Sequence, residues 1–350
     1  MRKIAAAVVM IVAITGILAG CGGTKSAEDV VNGVLKQAEE MKSYLAEGSM
    51  VLHTGQEPQT YGLEVWYQTP HYYRIALINQ KKDITQIVLR NDDGVFVLTP
   101  HLKKSFRFQS DWPNNQGQVY LYQTLADSIQ QDPERQFVAD QESSAYVFDV
   151  KANYPNSSLS RQKIWLDQKD YAPHHVEITD DQGQAVVEVH FERFEFNASF
   201  DAADFDMQKN LTSWDIRSMT VTADINGDGT DSAEQAAPTF AGVIEPAYIP
   251  VGVELLDRQD VKLGEETAVR LRYQGDYNYM LLQSAPQAQT VMAGSGEVVD
   301  LGFTLGVLIG DGVKTLHWTL DGVDYRLSSE DLPQEVMVRI AQSVQGQSAK

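Results

Sequence analysis

The sequence predicts an α+β protein built on a long antiparallel sheet, followed by a smaller α+β domain. Two observations indicate the sheet: apolar and polar residues alternate over many short segments, and turn signals such as Asn-Asp-Asp-Gly at 91–94 separate these segments. Helical spacing of apolar residues at the start of the chain and again near residue 120 adds about two helices. Consecutive hairpins need no parallel crossover, so such a sheet can curve strongly and close around a helix.

The first domain begins with a helix, expected from Ser26 to about Lys42, because its apolar residues recur at helical spacing. A second helical pattern places Leu121, Leu125 and Ile129 on one face. Period-two patterns predict strands over residues 63–67, 73–77, 87–89, 95–98, 105–108, 146–150, 163–167, 175–178 and 187–191.

The second domain opens with an extended, proline-containing segment at 246–252. Asp331 is expected to cap a final helix that has Pro333 in its first turn. Strands are expected over residues 268–273, 277–283 and 316–325, with a hairpin at Asp321-Gly322.

The extreme N-terminus has the layout of a secretory signal. Arg2 and Lys3 precede an apolar stretch at 4–18, which is too short to span a membrane comfortably. Residues 18–21, Leu-Ala-Gly-Cys, match a lipobox, and Cys21 is the only cysteine in the sequence. We expect Cys21 to carry a thioether-linked diacylglycerol. Two or more acyl chains anchor a protein stably to a membrane, whereas a single chain gives only marginal binding. The alternative is an ordinary signal peptide with an incidental cysteine.

Charge and cysteine content narrow the possible partners. Cleavage before Cys21 would remove two positive charges and take the net charge from −20 to −22. Such acidity argues against nucleic acid and against electrostatic adhesion to anionic lipid, so the lipid has to supply the attachment. Without a second cysteine there are no disulfides, and stability must come from apolar cores. We therefore expect an extracytoplasmic protein, lipid-anchored at the cell membrane.

Composition also predicts the domain boundaries. Residues 224–238 are rich in Gly, Asp, Ser and Ala, which is typical of a linker. The expected division is a signal peptide at 1–20, a lipidated tether at 21–25, a first domain at 26–210, a linker at 211–239 and a second domain at 240–345.

The linker contains one weak metal motif. Asp224, Asn226 and Asp228 match the first half of an EF-hand calcium loop. Position twelve is Gln235, which cannot supply a bidentate carboxylate, so an acidic linker is the preferred interpretation and Ca²⁺ the weaker one.

Four motifs in order carry a resemblance to a known family. Residues 65–74, Val-Trp-Tyr-Gln-Thr-Pro-His-Tyr-Tyr-Arg, look like the Trp-Tyr-x-x-Pro-x-x-Tyr-Arg segment of LolA-like lipoprotein carriers. Residues 93–100, 163–176 and 191–205 resemble the family's hairpin, its next strand pair and its closing segment. Combined with the lipobox, residues 26–207 are similar to LolA-like lipoproteins of spore-forming Gram-positive bacteria.

This resemblance implies an incomplete, LolA/LolB-like β-barrel with helices over its concave face and an apolar interior suited to acyl chains. Ordinary core packing is the alternative for the aromatic residues of that interior. For Arg74 a structural ion pair is preferred to a ligand contact, since burying it unpaired would be costly. The candidates to line the cavity are Trp66, Tyr73, Arg74, Phe96, Phe106, Trp165 and Phe191.

The second domain, at 240–345, resembles a small domain of unknown function that follows LolA-like regions, and an interaction module is the natural inference. No constellation of nucleophile, base or metal ligands emerges elsewhere. His174 and His175 are adjacent in a strand, so we expect them to point to opposite faces. Glu188, His190 and Glu192 share a strand face that we interpret as solvated. We therefore expect no catalytic residue and no cofactor beyond the covalent diacylglycerol.

Two non-enzymatic functions remain open. The protein would hold an acyl chain, lipid or lipoprotein segment in its cavity, or it would be a sporulation or envelope platform that anchors or activates a partner such as a cell-wall enzyme. Lipidation of Cys21 argues against a freely diffusing shuttle in either case.

Overall fold

The computed structural model describes residues 25–53, 58–79, 84–108, 112, 118–152, 154, 159–212, 243–263, 266–285, 290–292, 296–302, 304–320 and 322–344. Cys21, and the linker motif of Asp224, Asn226 and Asp228, lie outside these residues. None of the helices in the described ranges is long and apolar enough to cross a membrane.

The described residues form nineteen strands and three α-helices of nine residues or more. The helices are α1 (Ala27–Glu40), α2 (Tyr122–Gln131) and α3 (Gln334–Gln342). The strands are β1 (Ser43–Leu52), β2 (Gln59–Gln68), β3 (Tyr72–Asn79), β4 (Ile84–Asn91), β5 (Gly94–Thr99), β6 (Lys104–Phe108), β7 (Gln136–Asp140), β8 (Ala145–Lys151), β9 (Arg161–Asp167), β10 (Pro173–Thr179), β11 (Ala185–Phe196), β12 (Val253–Leu263), β13 (Glu266–Gly275), β14 (Tyr279–Ser284), β15 (Thr290–Met292), β16 (Gly296–Asp300), β17 (Leu305–Ile309), β18 (Lys314–Leu320) and β19 (Val323–Ser329).

The first sheet has twelve strands in the order β15-β6-β5-β4-β3-β2-β1-β11-β10-β9-β8-β7. Strand β1 lies near its middle and joins two meanders, because Tyr44 pairs with Tyr67 of β2 on one side and with Phe196 of β11 on the other. Strands β1 to β6 run outward as hairpins, the chain crosses through α2, and β7 to β11 return to β1. Strand β7 ends the row, so the curved sheet stays open instead of closing into a barrel. The predicted fold class is confirmed.

Helix α1 begins at a capping box. The Ser26 hydroxyl accepts a hydrogen bond from the Asp29 amide, and the Asp29 carboxylate accepts one from the Ser26 amide, which stabilises the helix by about 1 kcal/mol. Val30, Val31 and Val34 form its buried face. The helix ends two residues before the expected Lys42, since the chain turns there into β1.

Helix α2 packs against α1, and both lie on the same face of the first sheet, which we call the inner face. Leu125, Ala126 and Ile129 are its buried residues at helical spacing. Burying each such large aliphatic side chain contributes about 1.5–3 kcal/mol, so this face is a principal source of stability.

The opposite face of the first sheet, the outer face, carries a second apolar cluster. Residues 200–212 fold back over strands β2 to β5 and insert Phe205. The Asn91 side-chain amide donates to the Phe205 carbonyl oxygen at 2.9 Å, which fixes that segment. The cluster around Phe205 contains Ala76, Ile87, Leu89, Phe96 and Leu98.

The second sheet has seven strands in the order β12-β13-β14-β19-β18-β17-β16. Trp318 and Tyr325, paired across β18 and β19, stack with ring centroids 5.0 Å apart. Helix α3 adds Met337 and Ile340 to the same apolar core. This core is continuous with the inner-face core of the first sheet, so one apolar interior runs through both sheets.

Contacts between the sheets are specific as well as apolar. Strand β15, although it belongs to the second half of the chain, pairs in parallel with β6 of the first sheet. The Gln86 side chain accepts from the Leu305 amide at 2.6 Å and from the Thr304 hydroxyl at 2.7 Å. Lys104 of β6 forms a buried ion pair with Asp324 of β19.

Three local expectations change in the structure. Strands β1, β7, β12 and β15 to β17 were not predicted, because a bulge, short length or two polar faces obscure their alternation. The predicted Asp331 cap is wrong: its carboxylate accepts from Asn278 and Ser329, and Pro333 occupies the cap position. The strict alternation assumed for His174 and His175 is also broken, because a bulge lies between Pro173 and His175.

Candidate functional site

Three of the seven proposed cavity residues, Tyr73, Phe106 and Phe191, belong to the inner-face core. Around Tyr73 this core is rich in aromatic rings. Tyr67 lies 4.9 Å from Tyr73 and 5.4 Å from Tyr44, as measured between ring centroids. Tyr44 and Tyr122 are almost completely buried. The described inner face therefore has aromatic packing beneath α2, with the second domain covering Phe106 through His317.

Burial also determines the protonation state of three tyrosine hydroxyl groups in this core. It raises the pKa of Tyr44, Tyr73 and Tyr122 well above the usual value, because a phenolate loses its hydration there. The three hydroxyl groups stay neutral at physiological pH, and that of Tyr44 donates a hydrogen bond to Gln123 Oε1 at 3.3 Å.

Trp66, Arg74 and Phe96 lie on the outer face, in or against the cluster around Phe205. Arg74 is only 4% exposed, and its Nη1 lies 2.7 Å from Glu64 Oε2. Its Nε donates to Asn210 Oδ1 at 2.6 Å, and its guanidinium carbon lies 4.2 Å from the Trp66 ring centre. These contacts pair Arg74 within the fold, on the side of the sheet opposite to the helices.

Trp165 packs at the edge of a histidine cluster on the outer face. Its ring centroid lies 4.6 Å from that of His175, which in turn stacks on His190 at 4.3 Å. Nitrogen or oxygen atoms of His175, Glu188 and His190 lie within 4.8 Å of one another. Burial, and then the neighbouring His190, lower the pKa of His175, so its imidazole is neutral near neutral pH. Among the described residues, this trio has the donor types that transition metals prefer.

Strand β12 forms a different kind of site, at the edge of the second sheet. Four large apolar side chains at or next to its start are exposed: Ile249 by 39%, Val251 by 93%, Leu255 by 39% and Leu256 by 47%. The described range holds two other exposed large apolar side chains, Val138 and Val313, and these lie apart from it. Beside β12 a groove of about 590 Å³ is lined by Gly252, Val253, Glu254, Gln274, Gly275 and Asn278.

An open curved sheet has two helices on its inner face, and a second sheet domain shares its apolar core. A family model described as sporulation protein YdcC-like matches residues 1–205. The sporulation protein YdcC of Bacillus subtilis (strain 168) is 42% identical over 338 residues, which are 95% of this chain and 94% of the relative. The chain belongs to the YdcC-like sporulation protein family, and the resemblance drawn from the sequence is confirmed.

Several solved structures are similar to this chain at low sequence identity and low TM-score. A LolA superfamily protein from Nitrosomonas europaea has 10% identity, covers 51% of this chain and 98% of its own, and has a TM-score of 0.29. A lipoprotein-sorting protein domain from Vibrio parahaemolyticus has 16% identity, coverages of 53% and 99%, and a TM-score of 0.32. A structure of the CwlD amidase from Clostridioides difficile in complex with the GerS lipoprotein has 17% identity, coverages of 50% and 98%, and a TM-score of 0.30. Scores this low carry no functional argument.

Sequence reasoning missed several residues of these sites. Glu64 and Asn210, the partners of Arg74, lie 10 and 136 positions away from it, and only the fold brings them together. His53 lies beyond the end of β1, yet its Nε2 is 2.7 Å from Glu188 Oε1. A signal for the exposed edge was present: Val-Glu-Leu-Leu at 253–256 is apolar without the period of a buried strand.

Proposed function

We propose that this chain is a non-enzymatic, lipid-anchored protein on the outer side of the cell membrane that serves sporulation as a docking platform for a partner protein. The exposed apolar edge of the second sheet carries this proposal. The partner contributes an extended segment of apolar and basic residues, which adds a strand to the first half of β12.

An edge strand offers unpaired backbone donors and acceptors to another extended chain. Among the described residues, β12 pairs on one side only, with β13. Burial of one large apolar side chain contributes about 1.5–3 kcal/mol, so burying Ile249, Val251, Leu255 and Leu256 would contribute several kcal/mol. Backbone pairing and apolar burial together favour strand addition at this edge.

The second half of β12 is protected in ways that the first half is not. Its register shifts between Leu255 and Asp257, and charged side chains follow at Arg258, Asp260 and Lys262. Bulges and charges are the usual means by which proteins prevent pairing at a sheet edge. The docking segment is therefore limited to residues 249–256.

Charge determines the chemistry of the partner. Exposed Glu254 lies on the edge strand, and the Asp276 carboxylate lies directly over Gly252, where an added Cβ would be 2.3 Å from its Oδ2. The whole chain carries a net charge of −20. Electrostatic complementarity therefore favours a segment with Lys or Arg flanking its apolar residues.

The expected lipid on Cys21 would restrict where the partner can be met. Only five residues separate Cys21 from the start of α1 at Ala27, and five extended residues span at most about 18 Å. The first domain would thus stay close to the membrane, and the platform would recruit its partner there.

A photo-crosslinking residue placed at Leu256 tests the docking edge in sporulating cells. The expected result is one discrete crosslinked protein, whose contact segment is apolar and basic. The same residue at Val313, which is 50% exposed on a different hairpin, is the matched control and should give no such product.

Substitutions at the same edge of β12 should also impair sporulation. Leu255→Asp with Leu256→Asp should lower the yield of heat-resistant spores at unchanged protein abundance, whereas Val313→Asp should not. Identical spore yields for the double edge variant and the wild type, together with identical crosslinks at Leu256 and Val313, would reject the docking proposal. Mass spectrometry of the membrane-bound chain tests the anchor separately: an unmodified Cys21 would exclude lipidation.

A second candidate is the binding of an acyl chain, lipid or lipoprotein segment against the inner face, as the family resemblance implies. Its apolar lining, with Tyr73, Phe106 and Phe191, favours it. In the described residues this lining already contacts α1, α2 and the second domain, so a ligand would have to displace one of them. Native mass spectrometry of detergent-free protein, with titration of a fluorescent fatty acid, tests it: a consistently empty protein without uptake counts against this candidate.

A further inference from the structure

The outer face of the first sheet brings three imidazoles and a carboxylate together. His175 on β10 pairs directly with His190 on β11 in the antiparallel register. Glu188 is two residues before His190, so both side chains project from the same face of β11. Ligand atoms of these three residues lie within 4.8 Å of one another. Three neighbouring positions on two rigid strands thus supply two nitrogen donors and one oxygen donor.

A third imidazole comes from the other side of β11. His53 follows the end of β1, and its Nε2 lies 2.7 Å from Glu188 Oε1. The second oxygen of Glu188 lies 3.6 Å from His190 Nε2. Glu188 is therefore the centre of the cluster, with one histidine on each side and His175 stacked behind His190.

The orientation of His175 suits metal binding. Its Nδ1 lies 3.1 Å from the Val189 carbonyl oxygen, and because a carbonyl oxygen only accepts, Nδ1 carries the proton in this hydrogen bond. The lone pair is then on Nε2. Metal-bound histidines commonly use their other ring nitrogen in this way, which fixes the tautomer and the ring orientation.

We propose that His175, Glu188 and His190, with His53 as the fourth ligand, form a Zn²⁺ site. Four nitrogen and oxygen ligands suit Zn²⁺, which binds imidazole at about 2.0–2.1 Å in tetrahedral geometry. Donors in such a site are about 3.3 Å apart, as those bond lengths require. In the structure, His53 Nε2 lies 2.7 Å from Glu188 Oε1 and His190 Nε2 lies 3.6 Å from Glu188 Oε2, while the donors of His175, Glu188 and His190 lie within 4.8 Å of one another. Formation of the site requires these partly exposed side chains to rotate until all four donors converge on the ion.

Zinc at this position would join three strands that meet only in the folded protein. Glu188 lies on β11, His175 lies on β10, and His53 directly follows β1. The pairing of β1 with β11 is the one that connects the two meanders. Because a ligand that binds only the folded state stabilises it, Zn²⁺ should raise the unfolding temperature. Protons compete for the same nitrogen atoms, so binding should weaken as the pH falls.

Zn²⁺ binding to the untagged, full-length chain in detergent, first stripped with a chelator, tests the site. Equilibrium dialysis with elemental analysis should find one Zn²⁺ per chain at micromolar free metal. Co²⁺ should give the visible absorption bands of tetrahedral coordination. His190→Asn and Glu188→Gln should each weaken Zn²⁺ binding at least tenfold and abolish the thermal shift.

His71→Asn is the matched control, because His71, in the turn between β2 and β3, also has a carboxylate partner, Asp92, but lies outside the cluster. It should bind Zn²⁺ as the wild type does. Without metal, the variants should unfold at the same temperature as the metal-free wild type, which separates the loss of a ligand from misfolding. The absence of stoichiometric Zn²⁺ in the wild type, or equal binding by wild type and both cluster variants, would overturn the assignment. Neither result bears on docking at β12.

Discussion

At the scale of single residues, the outer face depends on one buried charge. Arg74 is enclosed by Glu64, Asn210 and the Trp66 ring, and almost none of it reaches solvent. Taking a guanidinium out of water costs several kcal/mol unless its partners compensate. The Glu64 carboxylate is the compensating charge, so the two residues have to be considered together.

We predict that Glu64→Gln destabilises the protein by about 3 kcal/mol, because it leaves the Arg74 charge buried without a counter-charge. Urea-induced unfolding measures this loss. The matched control is Glu195→Gln, which removes the partner of Arg193 in a pair where both side chains are more than half exposed. Exposed pairs contribute below about 1 kcal/mol, so equal losses in the two variants would contradict the role given to Glu64.

At the scale of elements, β1 determines whether the first sheet is one unit. It is the strand that pairs with both meanders, and its register with β11 shifts between Glu47 and Gly48. At that bulge the two backbones approach closely: a Cβ added to Gly48 would lie 2.0 Å from the His190 carbonyl oxygen. Glycine at this position therefore permits the pairing.

Gly48→Ala should cost about 1–3 kcal/mol in the free energy of unfolding, because the added methyl group meets backbone that has no room to move. Gly62→Ala on the neighbouring strand β2 is the control. Its Cβ would lie 3.4 Å from the Ile78 Cβ, a tolerable contact, so its effect should be much smaller. Denaturant unfolding of both variants decides this, and the opposite ranking would show that the bulge tolerates a side chain.

At the scale of the whole molecule, the two sheets share one continuous apolar core. Lys104 and Asp324 pair across the boundary, and Phe106 of the first sheet contacts His317 of the second. Burial, followed by the positive charges of Arg326 and Lys104, lowers the pKa of His317 to about 4 despite the opposing effect of Asp324. The interface therefore accommodates a neutral histidine and not a charged one.

This makes stability depend on pH in a defined window. Between His317's ordinary pKa of 6.5 and about 4, the unfolded chain binds a proton that the folded chain does not. The free energy of unfolding therefore falls as the pH falls through that window, by up to about 3 kcal/mol. His317→Gln should remove this part of the pH dependence, whereas His71→Gln should retain it. Urea unfolding from about pH 7 to about pH 4 measures the difference, and parallel curves for wild type and His317→Gln would refute it.

The alternation of apolar and polar residues predicted which residues of a strand share a face, but it did not predict which of the two faces the helices cover. The alternation in β2 and β3 predicts which residues share a face, so Trp66 and Arg74 are correctly separated from Val65 and Tyr73 once the inner face is known. Alternation alone does not say which face meets the helices. That is why Trp66, Arg74 and Phe96 appear beside Tyr73 among the cavity candidates, although the structure places them on the outer face.

The sequence by itself determined what depends on near neighbours along the chain: the alternating strands, helix α1 with its Ser26 cap, and the motifs that identify the family. Only the tertiary structure decided what depends on distant residues meeting. It paired Arg74 with Asn210, gathered His53, His175 and His190 around Glu188, and added β15 to the first sheet. Local periodicity is a property of consecutive residues, whereas strand order and the position of a bulge arise from the packing of the entire chain, which no short segment encodes.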